Sequence, residues 1–211
     1  MLFRSHAAKL GAHQIAEPVS EVAHDGRRVT AVATVRHRVA ARHVVIAAGA
    51  WSPAIAGLPR ALPVAPVRGQ LALVPWPEGN ADVILYHDHG YVLRRGEFAL
   101  LGSTMEHAGF DARVTAEGQA AILAGARQLM PALAQHVTSG WAGLRPVTPD
   151  GLPLVGPDPD IDGLWYATGH GRNGVLLAAL TGDVIGDLVS AGKTSVDLAG
   201  WQPSRLRAVE A

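Results

Sequence analysis

Short apolar runs alternate with glycine and proline along this chain, and their lengths predict many short elements. Leu2, Phe3, Ala7 and Leu10 read as the end of a helix, and Gly11 stands where a glycine stops one in the left-handed conformation. Residues 15–23 and 28–35 read as strands around His24-Asp25-Gly26, because Asp-Gly favours a hairpin turn. Residues 44–50, VVIAAGA, are apolar on both faces, the pattern of a strand inside a helix-covered sheet. Such a strand needs parallel neighbours and crossover helices, and the preceding residues supply none. Residues 53–66 are punctuated by proline and read as a connector. Strand-like runs follow at 70–76, 82–86, 90–95 and 97–102, with Gly96 turning the last pair, which predicts a mostly antiparallel sheet. Residues 115–129 are helical, with Ala121, Ile122, Ala126 and Leu129 at helical spacing and Thr115 with Glu117 as an imperfect cap. Residues 137–144 return to strand, 148–151 (TPDG) turn, and 164–168 form a short strand. The last helix covers 172–188, with Leu177, Leu180, Val184, Ile185 and Leu188 on one stripe. The predicted organisation is α/β, then a β-rich insert, then α/β again.

Composition narrows the function classes. The chain has 211 residues, and its 18 Lys and Arg balance 18 Asp and Glu, so it lacks the basic excess that binds nucleic acid. Cysteine is absent, which excludes disulfides, cysteine–zinc sites, thiolate nucleophiles and a cysteinyl-linked cofactor together. The first residues hold no long apolar run of the secretory kind, and no stretch approaches about 18 uninterrupted apolar residues, so no membrane-spanning segment is expected. The expectation is a cytoplasmic globular protein.

The motifs divide into those that fail on context and those that survive it. Residues 169–174 spell G-x-G-x-x-G after a strand and before a helix. A dinucleotide site requires a second strand and an acid beyond that helix, and only a polar tail follows here. The physics of the turn remains: glycines allow close backbone approach, and a helix N-terminus offers free N–H groups to an electron-rich group. His87 and His89 flank Asp88 at the spacing of one face of a strand, but no third or fourth ligand stands at a recognisable spacing, so a polar loop is favoured over a metal site. Ser52 has no G-x-S-x-G frame. Arg145, after the apolar strand and before Pro146, fits two readings. It is either a sheet-edge arginine reaching solvent or a planar guanidinium placed to hold a carboxylate bidentately.

Several segments together resemble the glycine oxidase and D-amino-acid oxidase family of flavoproteins. They are Pro18-Val19, residues 44–52 (VVIAAGAWS), 66–70 (PVRGQ), 102–105 (GSTM), 143–153 (GLRPVTPDGLP) and 169–177 (GHGRNGVLL). Their order and spacing match over about residues 8 to 190. The resemblance implies an α/β and α+β fold: a partial FAD-binding, Rossmann-like domain (residues 1–64), an inserted, mostly antiparallel substrate domain (65–147), and a return to the FAD-binding domain (148–211). It implies FAD as cofactor, held noncovalently, with Val19 meeting the adenine end through its backbone. Ala48, Gly49 and Trp51 would lie along the cofactor, and Gly171, Asn173, Gly174, Val175 and Leu176 would approach the flavin ring. It further implies that Arg145 and Tyr91 hold the substrate carboxylate, with Arg172 beside them and Met105 as a wall.

The implied reaction is oxidation of glycine, sarcosine or a small D-amino acid by hydride transfer from Cα to the flavin, with thiamine biosynthesis as one setting. No side-chain base is needed if the amine arrives neutral, so His87, His89 and His170 are not nominated. The family's amino-terminal βαβ unit, with its own G-x-G-x-x-G, has no counterpart in this sequence, and Met1 falls within a helix. A truncated reading frame, a split enzyme and a remnant of other function each account for that. The alternative to catalysis is a silent fragment or subunit that holds no FAD alone. The implied partners are a small amino acid and either a second copy or a complementing amino-terminal fragment.

Overall fold

The computed structural model describes residues 2–87 and 90–205. Helix α1 (Leu2–Lys9) opens the chain, followed by strands β1 (Val19–His24), β2 (Val29–Thr34), β3 (Arg38–Ala40) and β4 (Val44–Ile46). The insert carries β5 (Ala65–Pro75), β6 (Ile84–His87), β7 (Gly90–Arg95), β8 (Phe98–Gly102), helix α2 (Ala116–Leu129) and β9 (Ser139–Val147). Strands β10 (Leu154–Pro157) and β11 (Leu164–Thr168) and helix α3 (Gly174–Ala191) complete it.

Among the described residues, three sheets result. Strands β1, β2 and β3 form an antiparallel meander. Its first turn is fixed by Asp25, whose Oδ1 accepts from the N–H groups of Arg27 and Arg28, both at 2.9 Å, while Gly26 takes a left-handed φ of 92°. The second sheet runs β10-β11-β4, and here β4 finds one parallel neighbour, Val44 lying opposite Leu164. Among the described residues its other edge is unpaired. Val44 is 7% exposed and Ile46 3%, but Val45 between them is 40% exposed, so one face of this apolar strand is uncovered. The third sheet is antiparallel throughout, in the order β6-β7-β8-β5-β9.

The first two sheets share a core, and the five-stranded sheet has its own. Val22, Val44, Ile46, Leu154, Leu164 and Tyr166 pack between the first two sheets. Ile122, Ala126 and Met130 of α2 and the residue after it cover Ala72, Val74, Val92 and Leu101 of the five-stranded sheet. The Thr115 side chain caps α2 by accepting from the N–H of Gly118 at 3.1 Å. On α3, Val184 packs against Val155 and Leu198.

Four expectations change. The strand expected over 44–50 ends at Ile46, and a 3₁₀ turn (Gly49–Ala54) follows, entered by Gly49 at φ 57° and anchored by buried Ser52, whose Oγ donates to Thr168 Oγ1 at 2.9 Å. Strand β5 begins at Ala65, inside the expected connector, because Pro66 lies opposite Pro146 on an outer stretch where neither missing N–H breaks the ladder. Strands β3 and β10 are too short to show a period of two and were not expected. Finally, residues 171–191 are long and apolar enough to cross a membrane by length and composition, contrary to the expectation of no such segment. Apolar residues line more of α3 than its contacts with β10 and β11 use: of its residues only Thr181 and Val184 are buried, while Val175, Leu176 and Leu180 are exposed; Asp183 and Asp187 interrupt it.

Candidate functional site

One face of the five-stranded sheet carries two of the side chains singled out from the sequence, Arg145 and Tyr91. Arg145 on β9 lies across the sheet toward the segment after β8. Its Nη1 donates to the carbonyl of Thr104 at 2.9 Å and meets Sδ of Met105 at 3.3 Å, while Nη2 donates to Ser103 Oγ at 2.9 Å. Gly69 of β5 makes this path open: a Cβ at that position would stand 1.9 Å from Nη1 and 2.2 Å from Cζ. Tyr91 of β7 sits the same way over Gly102 of β8, where a Cβ would come within 2.5 Å of the phenol ring. Both side chains therefore rest on a glycine of an adjacent strand.

Arg172 reaches the same cavity from the turn before α3. Its Nη2 donates to the hydroxyl of Tyr86 on β6 at 2.9 Å, which joins the turn to the outer strand of the sheet. Arg145, Tyr91, Arg172 and Met105 thus line one cavity of about 410 Å³, together with Tyr86 and Ser103. Burial lowers the pKa of half-buried Arg145 below that of a free guanidinium, and the like charge of Arg172 adds to this, while Tyr91 opposes it. Burial raises the Tyr91 phenol above its usual range against the pull of Arg145 and Arg172, so it remains a neutral donor.

The opposite face of β5 supports this arrangement. Arg68 and Gln70 are buried there, two residues apart. Arg68 Nε donates to Glu106 Oε2 at 3.0 Å and its Nη1 to the carbonyl of Arg113 at 3.3 Å. Gln70 Nε2 donates to Glu106 Oε1 at 2.8 Å and to Thr115 Oγ1 at 3.0 Å, and its backbone N–H donates to Thr104 Oγ1 at 2.9 Å. This network pins residues 104–115, and with them two of the three acceptors that hold Arg145, the Thr104 carbonyl and Met105 Sδ. Burial disfavours the Glu106 carboxylate, but hydrogen bonds from Thr104, Arg68 and Gln70 outweigh it and lower its pKa.

The residues expected along the cofactor fall at a second place. Val19, Ala48 and Trp51 line a cleft of about 590 Å³ against β4, and Gly49 stands beside it with open space where a Cβ would be. Val45 and Ala47 line this cleft and also a further one of about 370 Å³ that reaches Gly174 on α3. Gly171 takes φ 55°, Asn173 and Leu176 border the cavity of Arg145, and Val175 is exposed. The first turn of α3 has no side-chain cap, so its N–H groups face outward from a glycine-lined turn. An apolar cleft running from Val19 past β4, with helix N–H groups beside the Arg145 cavity, fits a long cofactor with an apolar ring system and an electron-rich head.

His170, half-buried, bonds Thr181 Oγ1 at 3.0 Å rather than facing the Arg145 cavity, and burial lowers its pKa. Of the His-Asp-His run, His87 borders the cavity, while Asp88 and His89 lie outside the described residues. Tyr86, Ser103, Gly69, Gly102 and the Arg68–Gln70–Glu106 network carried no assigned role from sequence. The signal available was Arg and Gln alternating with Gly inside an otherwise apolar strand, which marks a buried polar face.

The FAD-dependent oxidoreductase profile abbreviated DAO matches residues 2–188. The glycine oxidase of Pseudomonas aeruginosa is 41% identical over 183 residues, which are 85% of this chain and 50% of that protein. Subunit HcnC of the hydrogen cyanide synthase from the same species is 35% identical over 195 residues, 90% of this chain and 46% of that one. The crystal structure of glycine oxidase from Geobacillus kaustophilus superposes with a TM-score of 0.86 at 34% identity, covering 95% of this chain and 55% of that one. The chain spans about half the length of the curated relatives it matches. By profile, sequence and fold alike, the chain belongs to the DAO family of FAD-dependent oxidoreductases.

Proposed function

We propose that this chain provides the substrate-holding part of an FAD-dependent amino-acid oxidase of the glycine oxidase type, acting on glycine, sarcosine or a small D-amino acid. The observation that carries this reading is the seating of Arg145. A guanidinium has five N–H donors, and three of those of Arg145 are directed at Thr104, Ser103 and Met105. The remaining pair matches the bidentate demand of a carboxylate. Tyr91, kept protonated by burial, adds a hydroxyl from the adjacent strand. Arg145 and Tyr91 would fix the carboxylate, and through it the direction of the Cα–H bond. Two guanidinium groups in one cavity also favour loss of the ammonium proton from a bound amino acid, so the amine is held neutral without a side-chain base.

FAD, when bound, supplies the hydride acceptor; Val19, Ala48, Gly49 and Trp51 would hold its length, and Gly171, Asn173, Gly174, Val175 and Leu176 its ring. A complementing amino-terminal polypeptide, or a second copy, would cover the exposed side of β4. The test is to supply the family's amino-terminal βαβ unit in trans with FAD and assay peroxide from glycine. Turnover that disappears in Arg145→Gln supports the proposal; a reconstituted, flavin-loaded protein with unaltered turnover in that variant refutes it.

A second reading, that the chain alone holds no FAD, is favoured by the exposure of Val45 and Trp51 along the cleft expected to receive the cofactor. A visible spectrum decides it. Flavin absorbance in the purified chain refutes this reading, and a chain that stays colourless after FAD is added supports it.

A further inference from the structure

Two successive residues of β5 serve the Arg145 site from opposite faces of the sheet. Gly69 leaves room for the guanidinium on one face, while Gln70 lies on the other, toward α2, and is wholly buried. A buried primary amide is costly unless its hydrogen-bonding positions are met, and here all four are. Oε1 accepts from the backbone N–H of Thr115 at 2.9 Å and from Gln119 Nε2 at 3.4 Å. Nε2 donates to Glu106 Oε1 at 2.8 Å and to Thr115 Oγ1 at 3.0 Å.

The first turn of α2 is shaped around that amide. A Cβ on Gly118 would stand 2.1 Å from Gln70 Nε2 and 2.6 Å from its Cδ. Glycine is a weak helix former, and its place in this turn is explained by the room it gives Gln70. The main chain completes the link. The N–H of Gln70 donates to Thr104 Oγ1 at 2.9 Å, and the carbonyl of the same Thr104 accepts from Arg145 Nη1 at 2.9 Å. Glu106, which takes a donor of the amide, follows Met105, whose Sδ meets Arg145 Nη1 at 3.3 Å. The start of α2, Gln70 and the seat of Arg145 are thus joined through the sheet by direct contacts.

We infer that Gln70 is a positioning residue of the carboxylate site: from the α2 side of β5 its amide sets where Thr104 and Met105 stand, and through them the guanidinium of Arg145. This rests on the proposed role of Arg145 as the carboxylate clamp. Carboxylate affinity then answers to changes made across the sheet, at Gln70, Glu106 and Gly118, none of which is among the residues that line the cavity.

The experiment is calorimetric titration of the purified full chain with sarcosine, beside a melting curve for each variant. Gln70→Glu keeps the shape of the side chain and the acceptor for Thr115, but sets a second carboxylate against Glu106 where Nε2 donated. Sarcosine should bind about tenfold or more weakly to it. Adding Glu106→Gln restores the bond with donor and acceptor exchanged, because the amide at 106 can donate to the carboxylate at 70 and still accept from Arg68. Affinity should return to within about threefold of wild type. A role confined to stability would lower the melting temperature of Gln70→Glu and leave sarcosine affinity of the folded protein unchanged; that result overturns the inference. So does a double variant that binds no better than Gln70→Glu. Where Gln70→Glu does not fold, Gly118→Ala decides, since it keeps every hydrogen-bonding group and its methyl displaces the amide: weakened binding supports the inference, and wild-type affinity overturns it. The underlying reading fails separately. Unchanged sarcosine affinity in Arg145→Gln, or no saturable binding by the wild type, removes Arg145 as the clamp, and the inference with it.

Discussion

The glycine beneath Arg145 offers the sharpest test of how this site is built. In Gly69→Ala the new Cβ would stand 1.9 Å from Nη1, 2.2 Å from Cζ and 2.3 Å from Nη2 of Arg145. Ordinary carbon contacts are about 3.5–4.0 Å, so the guanidinium must move by roughly 1.5 Å or leave the sheet surface. Either movement lengthens the bonds to Thr104 and Ser103 beyond hydrogen-bond range, since both start at 2.9 Å. A misplacement of that size costs on the order of 100-fold where a substrate must be oriented. We expect carboxylate affinity to fall by between about 10-fold and 100-fold. The melting temperature should change far less, because the side chain can swing toward solvent and overpacking of the rigid kind, about 1–3 kcal/mol, is avoided. The control is built in: Gly143 lies opposite Gly69 on β9, and a Cβ there meets nothing within 4 Å, so Gly143→Ala should bind sarcosine within about twofold of wild type. Calorimetry on both variants, with a structure of Gly69→Ala, checks this. An alanine at 69 with normal affinity, and Arg145 still bonded to Ser103 and Thr104, would refute the seat.

Further expectations concern the supports of the site and the meander. Glu106→Gln removes the carboxylate that pairs with buried Arg68 and should destabilise the fold by about 2–4 kcal/mol in urea titration, below the full cost of orphaning a deeply buried charge because Glu106 is partly exposed. Gly102→Ala drives a methyl into the Tyr91 ring and should weaken sarcosine binding with the Arg145 bonds intact, a separation that crystallography of the variant checks. Glu17 accepts from Thr34 at 2.6 Å and pairs with His37 and Arg36. Against the cost of desolvation, those bonds, that from Thr34 foremost, lower its pKa from 4.5 to about 2. A depressed carboxylate stabilises the fold above its unfolded pKa, and that contribution is lost as pH falls from about 4.5 toward 2. The stability advantage of wild type over Glu17→Gln should therefore be full at neutral pH and shrink across that window; an advantage independent of pH would refute it.

Much of this architecture is legible in the sequence, and the gaps have physical reasons. The strands at 90–95 and 97–102 announce themselves through the Gly96 turn between them, and helix α2 through apolar residues at helical spacing, of which Ile122 and Ala126 are buried. Arg145 could be picked out because it ends an apolar strand, but pattern left open whether it faced solvent or a ligand. The answer depends on Gly69, 76 positions away, and strand register between them is a tertiary fact. The same holds for Tyr91 and Gly102. Pro66 misled because proline usually interrupts strands, and its tolerance depends on Pro146 opposite. Strand β10 lay hidden beside the TPDG turn because four residues cannot show a period. The apolar run at 44–50 signalled a strand buried on both faces; the strand stops at Ile46, Val45 is exposed, and among the described residues only its edge toward β11 is paired.

The pairing at the base of the insert bears on the order of folding. Strand β4 meets β11 only across more than a hundred residues of intervening chain, and the Ser52–Thr168 bond closes a loop of similar size. Yet Ala65 pairs with Val147, so once β5 and β9 have zipped, the two ends of the insert lie side by side. What separates β4 from β11 is then two short connectors rather than the whole insert, which reduces the entropic cost of closure by about 1 kcal/mol. The five-stranded sheet should therefore acquire protection first in pulse-labelled hydrogen exchange, with β4 and β11 following; simultaneous protection of both would show that the insert does not template its surroundings. The insert is thus a clasp as well as a platform, drawing together the distant halves of the sheet from which it departs.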